Sequence, residues 1–78
     1  MKQRTKQLVV TFHTTAASMA MEKACLTAGL PGRLAPVPRQ LTADCGIAWR
    51  AAVETRAALE ALIRENNLET SGIFELEI

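Results

Sequence analysis

The chain has 78 residues, 49% of them hydrophobic and 22% charged, with a formal net charge of +1. That length holds one domain, near the lower limit of what a single core supports, so a second subunit is expected. The charge balance argues against a sequence-independent nucleic-acid binder, which needs clustered Lys and Arg, and no nucleic-acid partner is expected.

The chain opens with a basic tail, residues 1–6, and the "LVVTFHTT" that follows is too short and polar for a signal-peptide core or a membrane span. A cytoplasmic protein without a membrane partner is the expectation. "QLVVTFH" (7–13) alternates Leu8, Val10 and Phe12 against Val9, Thr11 and His13, which predicts a half-buried strand. In "TTAASMAMEKACLTAG" (14–29) the period becomes helical, with Ala17, Met21, Ala24 and Ala28 on one stripe and Cys25 beside it. Thr14 or Thr15 caps its start, and Gly29 with Pro31 marks its stop. "GRLAPV" (32–37) is a weaker strand whose neighbouring Pro36 and Pro38 suit a sheet edge. "PRQLTADCG" (38–46) reads as a loop, and "GIAWR" (46–50) as a return strand with Ile47 and Trp49 on one face. Residues 53–66 are helical again, with Leu59, Leu62 and Ile63 on the apolar stripe and Asn66-Asn67 as a left-handed stop. "GIFELEI" (72–78) closes the chain as a strand alternating Phe74, Leu76 and Ile78 against glutamates.

Strand, helix, strand, strand, helix, strand is the split repeat of an α+β, ferredoxin-like βαββαβ domain. Its two helices pack on one face of a four-stranded antiparallel sheet. A single domain over residues 7–78 follows, with no linker or second domain. In this topology the first and third strands are antiparallel neighbours, so the end of one lies beside the start of the other.

That geometry brings Cys45, between Asp44 and Gly46 in a turn-like segment, close to His13. The helix starting at Thr14 or Thr15 points its N-terminal amides to the same edge, where partial positive charge favours an anion such as a thiolate. Arg39 belongs to the loop on that edge, whereas Arg50, at the far end of its strand, has a supporting role at most. Asp44 works against a thiolate unless it caps amides in the turn. Each residue also has a plainer reading: Cys45 as an incidental loop thiol, His13 bonded to a loop, Arg39 as a solvated charge. Cys25, in the body of a helix, is core filler. Trp49, Met19 and Met21 are packing residues, with Trp49 on the open sheet face left as an alternative.

Two distant cysteines and one histidine do not make a closed zinc site within one chain, and no C-x-x-C pair is present, so neither metal nor cofactor is expected. A reducing cytoplasm disfavours a Cys25–Cys45 disulfide.

"TFHTT", "AMEKACLTAGL", "RLAPVPRQLTADCGIAWR" and "GIFELEI" together resemble the small selenium/sulfur carrier-like domains, over nearly the whole chain after the basic tail. The run Pro36, Val37, Pro38, Arg39, then Asp44, Cys45, Gly46, carries the likeness most specifically. The resemblance implies a single-cysteine carrier in which Cys45 holds sulfur or selenium as a persulfide or selenosulfide. The sequence departs from the family pattern at the second helix, which starts at "AAVE" in place of Asp-Pro, and at Trp49, where a smaller residue is usual.

The expected function is that of a carrier, with Cys45 as carrier thiol assisted by His13 and Arg39. Its partners would be a sulfur or selenium donor, such as a cysteine desulfurase, and an acceptor protein. Thiol exchange asks for an ionised, accessible sulfur with no second cysteine close enough to resolve the adduct. The alternative is a non-catalytic interaction or regulatory module whose open sheet face, with Val9 and Ile73, forms a homodimer or docks a partner. An enzyme using Cys45 with His13 as base is a third reading, one that needs an orienting group and a substrate pocket.

Overall fold

The first strand buries four consecutive residues, Leu8, Val9, Val10 and Thr11, so both of its faces are closed where the sequence suggested a half-buried strand, and every later element follows in the expected order. The computed structural model describes residues 5–41 and 45–78. It contains β1 (Lys6–Thr11), α1 (Thr15–Ala28), β2 (Arg33–Pro36), β3 (Ile47–Ala52), a 3-10 turn (Val53–Thr55), α2 (Arg56–Asn66) and β4 (Gly72–Glu77). The four strands pair in the order β2-β3-β1-β4, all antiparallel. This is the α+β, ferredoxin-like arrangement. Among the described residues, no helix is long and apolar enough to cross a membrane.

Leu8, Val10 and Phe12 from β1 and its exit meet Trp49 and Ala51 of β3, Met21 and Cys25 of α1 and Leu59 of α2 in one core. Trp49 is therefore inside, 2% exposed, on the helix-covered face. Its bulk is accommodated because Gly32, just before β2, has no side chain: a Cβ there would stand 2.5 Å from the indole Cζ2.

Two faces differ from the sequence reading. The buried residues of α1 are Ser18, Met21 and Cys25, so Cys25 lies on the core stripe and not beside it. Alanines recur all round this helix, and their small side chains give no strong apolar bias to mark the inner face. Ala20, Ala24 and Ala28 instead line a groove with Leu62 and Leu68. On β4, Ile73 pairs with Val10 and faces the core, whereas Phe74 pairs with Val9 and Leu76 with Gln7 on the open face. The strand's glutamates share Ile73's face: Glu75 accepts a 2.8 Å bond from Arg56 at the start of α2. At a sheet edge a carboxylate can reach solvent past the helix, so the alternation is kept but its polarity is inverted.

The two halves of the chain end their helices alike. Gly29 (φ 73°) and Asn67 (φ 51°) take left-handed conformations. The next amides, of Leu30 and Leu68, reach back to the carbonyls of Cys25 (2.9 Å) and Ile63 (3.0 Å). Both leucines then pack against the core. This pairing of left-handed stop and apolar anchor satisfies the helix-end carbonyls and fixes where each chain leaves its helix.

Candidate functional site

Thr11 pairs with Ala48. Antiparallel pairing therefore sets the residues leaving β1 beside those entering β3, at the sheet end where α1 begins. Cys45 occupies the turn immediately before β3. Gly46 follows with φ 75°, a left-handed conformation that favours glycine, and its carbonyl accepts the Val37 amide at 3.1 Å. That bond ties the exit of β2 to the start of β3.

The Cys45 side chain is half-buried and packs against the edge of the core. Its Sγ–H donates to the Ile47 carbonyl at 3.2 Å. The neutral thiol is thus held on the backbone at the start of β3, and a sulfur acting as nucleophile gives up that proton and this bond together.

His13 is exposed in the bend between β1 and α1. Arg39 is exposed in a turn closed by the Leu41 amide on the Pro38 carbonyl at 2.9 Å. The fold brings Cys45, His13 and Arg39 to one end of the sheet. Asp44 lies outside the described residues. Arg50 is not part of this end: it points from the open face and donates to Gln7 Oε1 at 3.3 Å.

At the same end Thr14 caps α1, its Oγ1 accepting from the Ala17 amide at 3.1 Å, and the helix has no acidic residue in its first turn. One amide at that terminus is therefore already engaged by the cap. The sequence reading did not anticipate the Ile47 carbonyl as the thiol's partner; the Cys-Gly pair before a strand was the available signal for the tight turn that permits it.

The second cysteine is in different surroundings. Cys25 is 0% exposed, with Sγ 3.8 Å from Met21 Sδ, and burial pushes its pKa up. Both thiols are free. Among the described residues no three His, Cys, Asp or Glu side chains cluster as metal ligands would. The groove between α1 and α2, about 370 Å³ in volume, is lined by neither cysteine and by neither His13 nor Arg39.

Residues 7–75 match the family described as "Putative Se/S carrier protein-like". The chain belongs to this family. The matched span takes in β2, β3, both helices and most of β1 and β4, together with both cysteines, His13 and Arg39. No curated protein and no solved structure matches the chain. The Se/S carrier protein-like family thus coincides here with a ferredoxin-like domain that has one half-exposed and one fully buried thiol.

Proposed function

We propose that this protein carries sulfur or selenium on Cys45. The observation that supports this reading most directly, beside family membership, is the division of labour between the thiols. Cys25 is sealed in the core and Cys45 borders solvent at the end of the sheet. A carrier needs one reachable sulfur and no neighbour to resolve its adduct as a disulfide.

In the proposed cycle the Cys45 thiolate attacks the outer sulfur of a donor protein's persulfide. The new S–S bond forms on Cys45 as the donor's S–S bond breaks, and the donor leaves as a thiolate. An acceptor thiolate then attacks the outer sulfur and Cys45 leaves as a thiolate again. The sulfane atom changes hands without net oxidation, and a selenium atom held on a donor cysteine follows the same course. His13 and Arg39 contribute at the sheet end, His13 by exchanging the thiol proton and Arg39 by attracting the anionic persulfide.

The test is loading of Cys25→Ala, in which Cys45 is the single thiol. Incubation with a cysteine desulfurase and cysteine should add the mass of one sulfur atom, removable by a reducing thiol. Cys45→Ser should gain nothing, and His13→Ala and Arg39→Gln should load more slowly. An unchanged mass for Cys25→Ala with both a persulfide and a perselenide donor would defeat the carrier reading.

A further inference from the structure

The two helices cover the same side of the sheet, yet their outer surfaces differ in chemistry. α2 has four charged residues among eleven, Arg56, Glu60, Arg64 and Glu65, the ordinary pattern of a solvated helix. α1 has two among fourteen, Glu22 and Lys23. Its buried residues are Ser18, Met21 and Cys25, so the side turned outward presents Met19, Glu22, Lys23 and Leu26, spaced i, i+3, i+4 and i+7. Met19 is 60% exposed and Leu26 74% exposed. With Phe74 they are the exposed large hydrophobics among the described residues.

The order of residues on this face is the same from either end: an apolar side chain, a charge, the opposite charge, an apolar side chain. A two-fold axis perpendicular to α1, midway between Glu22 and Lys23, therefore sets Met19 against Leu26 of the partner subunit. The same axis sets Glu22 against Lys23 of the partner subunit, and each contact occurs twice. Both charges are available for it. Among the described residues the ion pairs join Arg56 to Glu60 and Glu75, and Glu22 and Lys23 take part in neither. Ala16, Ala20 and Thr27, exposed along one side of the line, are small enough for two helices to approach closely.

We propose that α1 packs antiparallel against α1 of a second copy, in a two-fold dimer centred between Glu22 and Lys23. The charge pattern selects the occupant. One acid and one base make the face complementary to itself, and they offer no net charge to a nucleic acid, an anionic membrane or an acidic protein. A chain of 78 residues is also near the size at which a single core suffices, and covering Met19 and Leu26 adds apolar burial in both copies. One helix pair is a small contact for a specific interface, so association should be reversible and concentration-dependent. The inference does not rest on the chemistry of Cys45, which precedes β3 at the sheet end.

The test is sedimentation velocity of the full chain over a wide concentration range, where monomer should give way to dimer. Leu26→Glu should raise the dissociation constant at least tenfold. Glu22→Lys and Lys23→Glu each set like charges against each other across the axis, so each alone should weaken the dimer. Mixed together, these two variants should regain most of the parent affinity as a heterodimer, because every charge then meets its opposite. Recovery on mixing also shows that both are folded. A chain that stays monomeric at every concentration overturns the proposal, as does a dimer indifferent to Leu26→Glu. Failure of the mixed variants to associate, or a monomer that instead buries this face in phosphatidylserine vesicles, would overturn it too.

Discussion

The indole of Trp49 lies flat against the backbone of Gly32, with Cζ2, Cε2 and Nε1 all within 2.7 Å of where a Cβ would be. Gly32→Ala must therefore displace a ring that is 2% exposed and bounded by the core. Overpacking of this kind costs about 1–3 kcal/mol. Chemical denaturation followed by Trp49 fluorescence should show the midpoint fall. Gly72 makes the contrasting case, because its Cβ would meet Phe74 at 2.8 Å on the open face, where the ring has room to swing away. Gly72→Ala should cost clearly less than Gly32→Ala, and equal losses would contradict the packing described for Trp49.

Cys25 should make stability depend on alkaline pH. Burial raises its pKa in the folded chain, so the native state keeps its proton where the unfolded chain begins to lose it. The contribution is complete below the unfolded thiol's value of about 8.5 and is lost as pH rises through the higher folded value. Unfolding free energy measured from pH 7 to pH 10 should decline, and Cys25→Ala should flatten part of the decline. The substitution itself should cost on the order of 1 kcal/mol, comparable with one buried methylene-sized group. A pH profile identical in the two proteins would mean that Cys25 is not sealed from water in solution.

Helix-end chemistry gives a third expectation. Thr14→Ala removes the acceptor for the Ala17 amide and should cost about 1 kcal/mol, with Thr14→Ser restoring most of it. Asn67 holds φ 51° at the end of α2, where glycine is better tolerated than any β-branched residue. Asn67→Gly should be neutral or slightly stabilising, and Asn67→Val should lose about 1 kcal/mol or more. Thermal unfolding reads both series, and a neutral Asn67→Val would remove the left-handed stop.

How much of this was legible in the sequence differs from residue to residue. Period changes, Thr14, Gly29 and Asn67 marked the element order because local chemistry decides those positions. The inner face of α1 was not readable, since alanine gives nearly the same signal on every side and only packing against Trp49 and Phe12 selects Cys25. The inverted alternation of β4 depended on Arg56, distant in sequence, which meets Glu75 beside the helix. At the candidate site, topology foretold that Cys45, His13 and Arg39 share one end. The hydrogen bond to Ile47 was hidden because it depends on the backbone twist at Gly46.

Gly46 and Gly29 form a matched pair for testing that site. Both have φ near 75° (75° and 73°), and a Cβ added to either would meet nothing within 4 Å. Alanine at each should therefore cost a similar amount, about 1 kcal/mol, by backbone conformation alone. Their consequences for the thiol should differ. Gly46 holds the turn that sets Cys45 on the Ile47 carbonyl and receives the Val37 amide, whereas Gly29 ends α1 at the opposite end of the sheet. In a Cys25→Ala background, Gly46→Ala should change the alkylation rate of Cys45 severalfold, and Gly29→Ala should leave it within error. In the parent chain Cys45 should label well before Cys25. If both glycine variants altered the rate equally, the effect would be one of global stability, and the turn would lose its role in positioning the thiol.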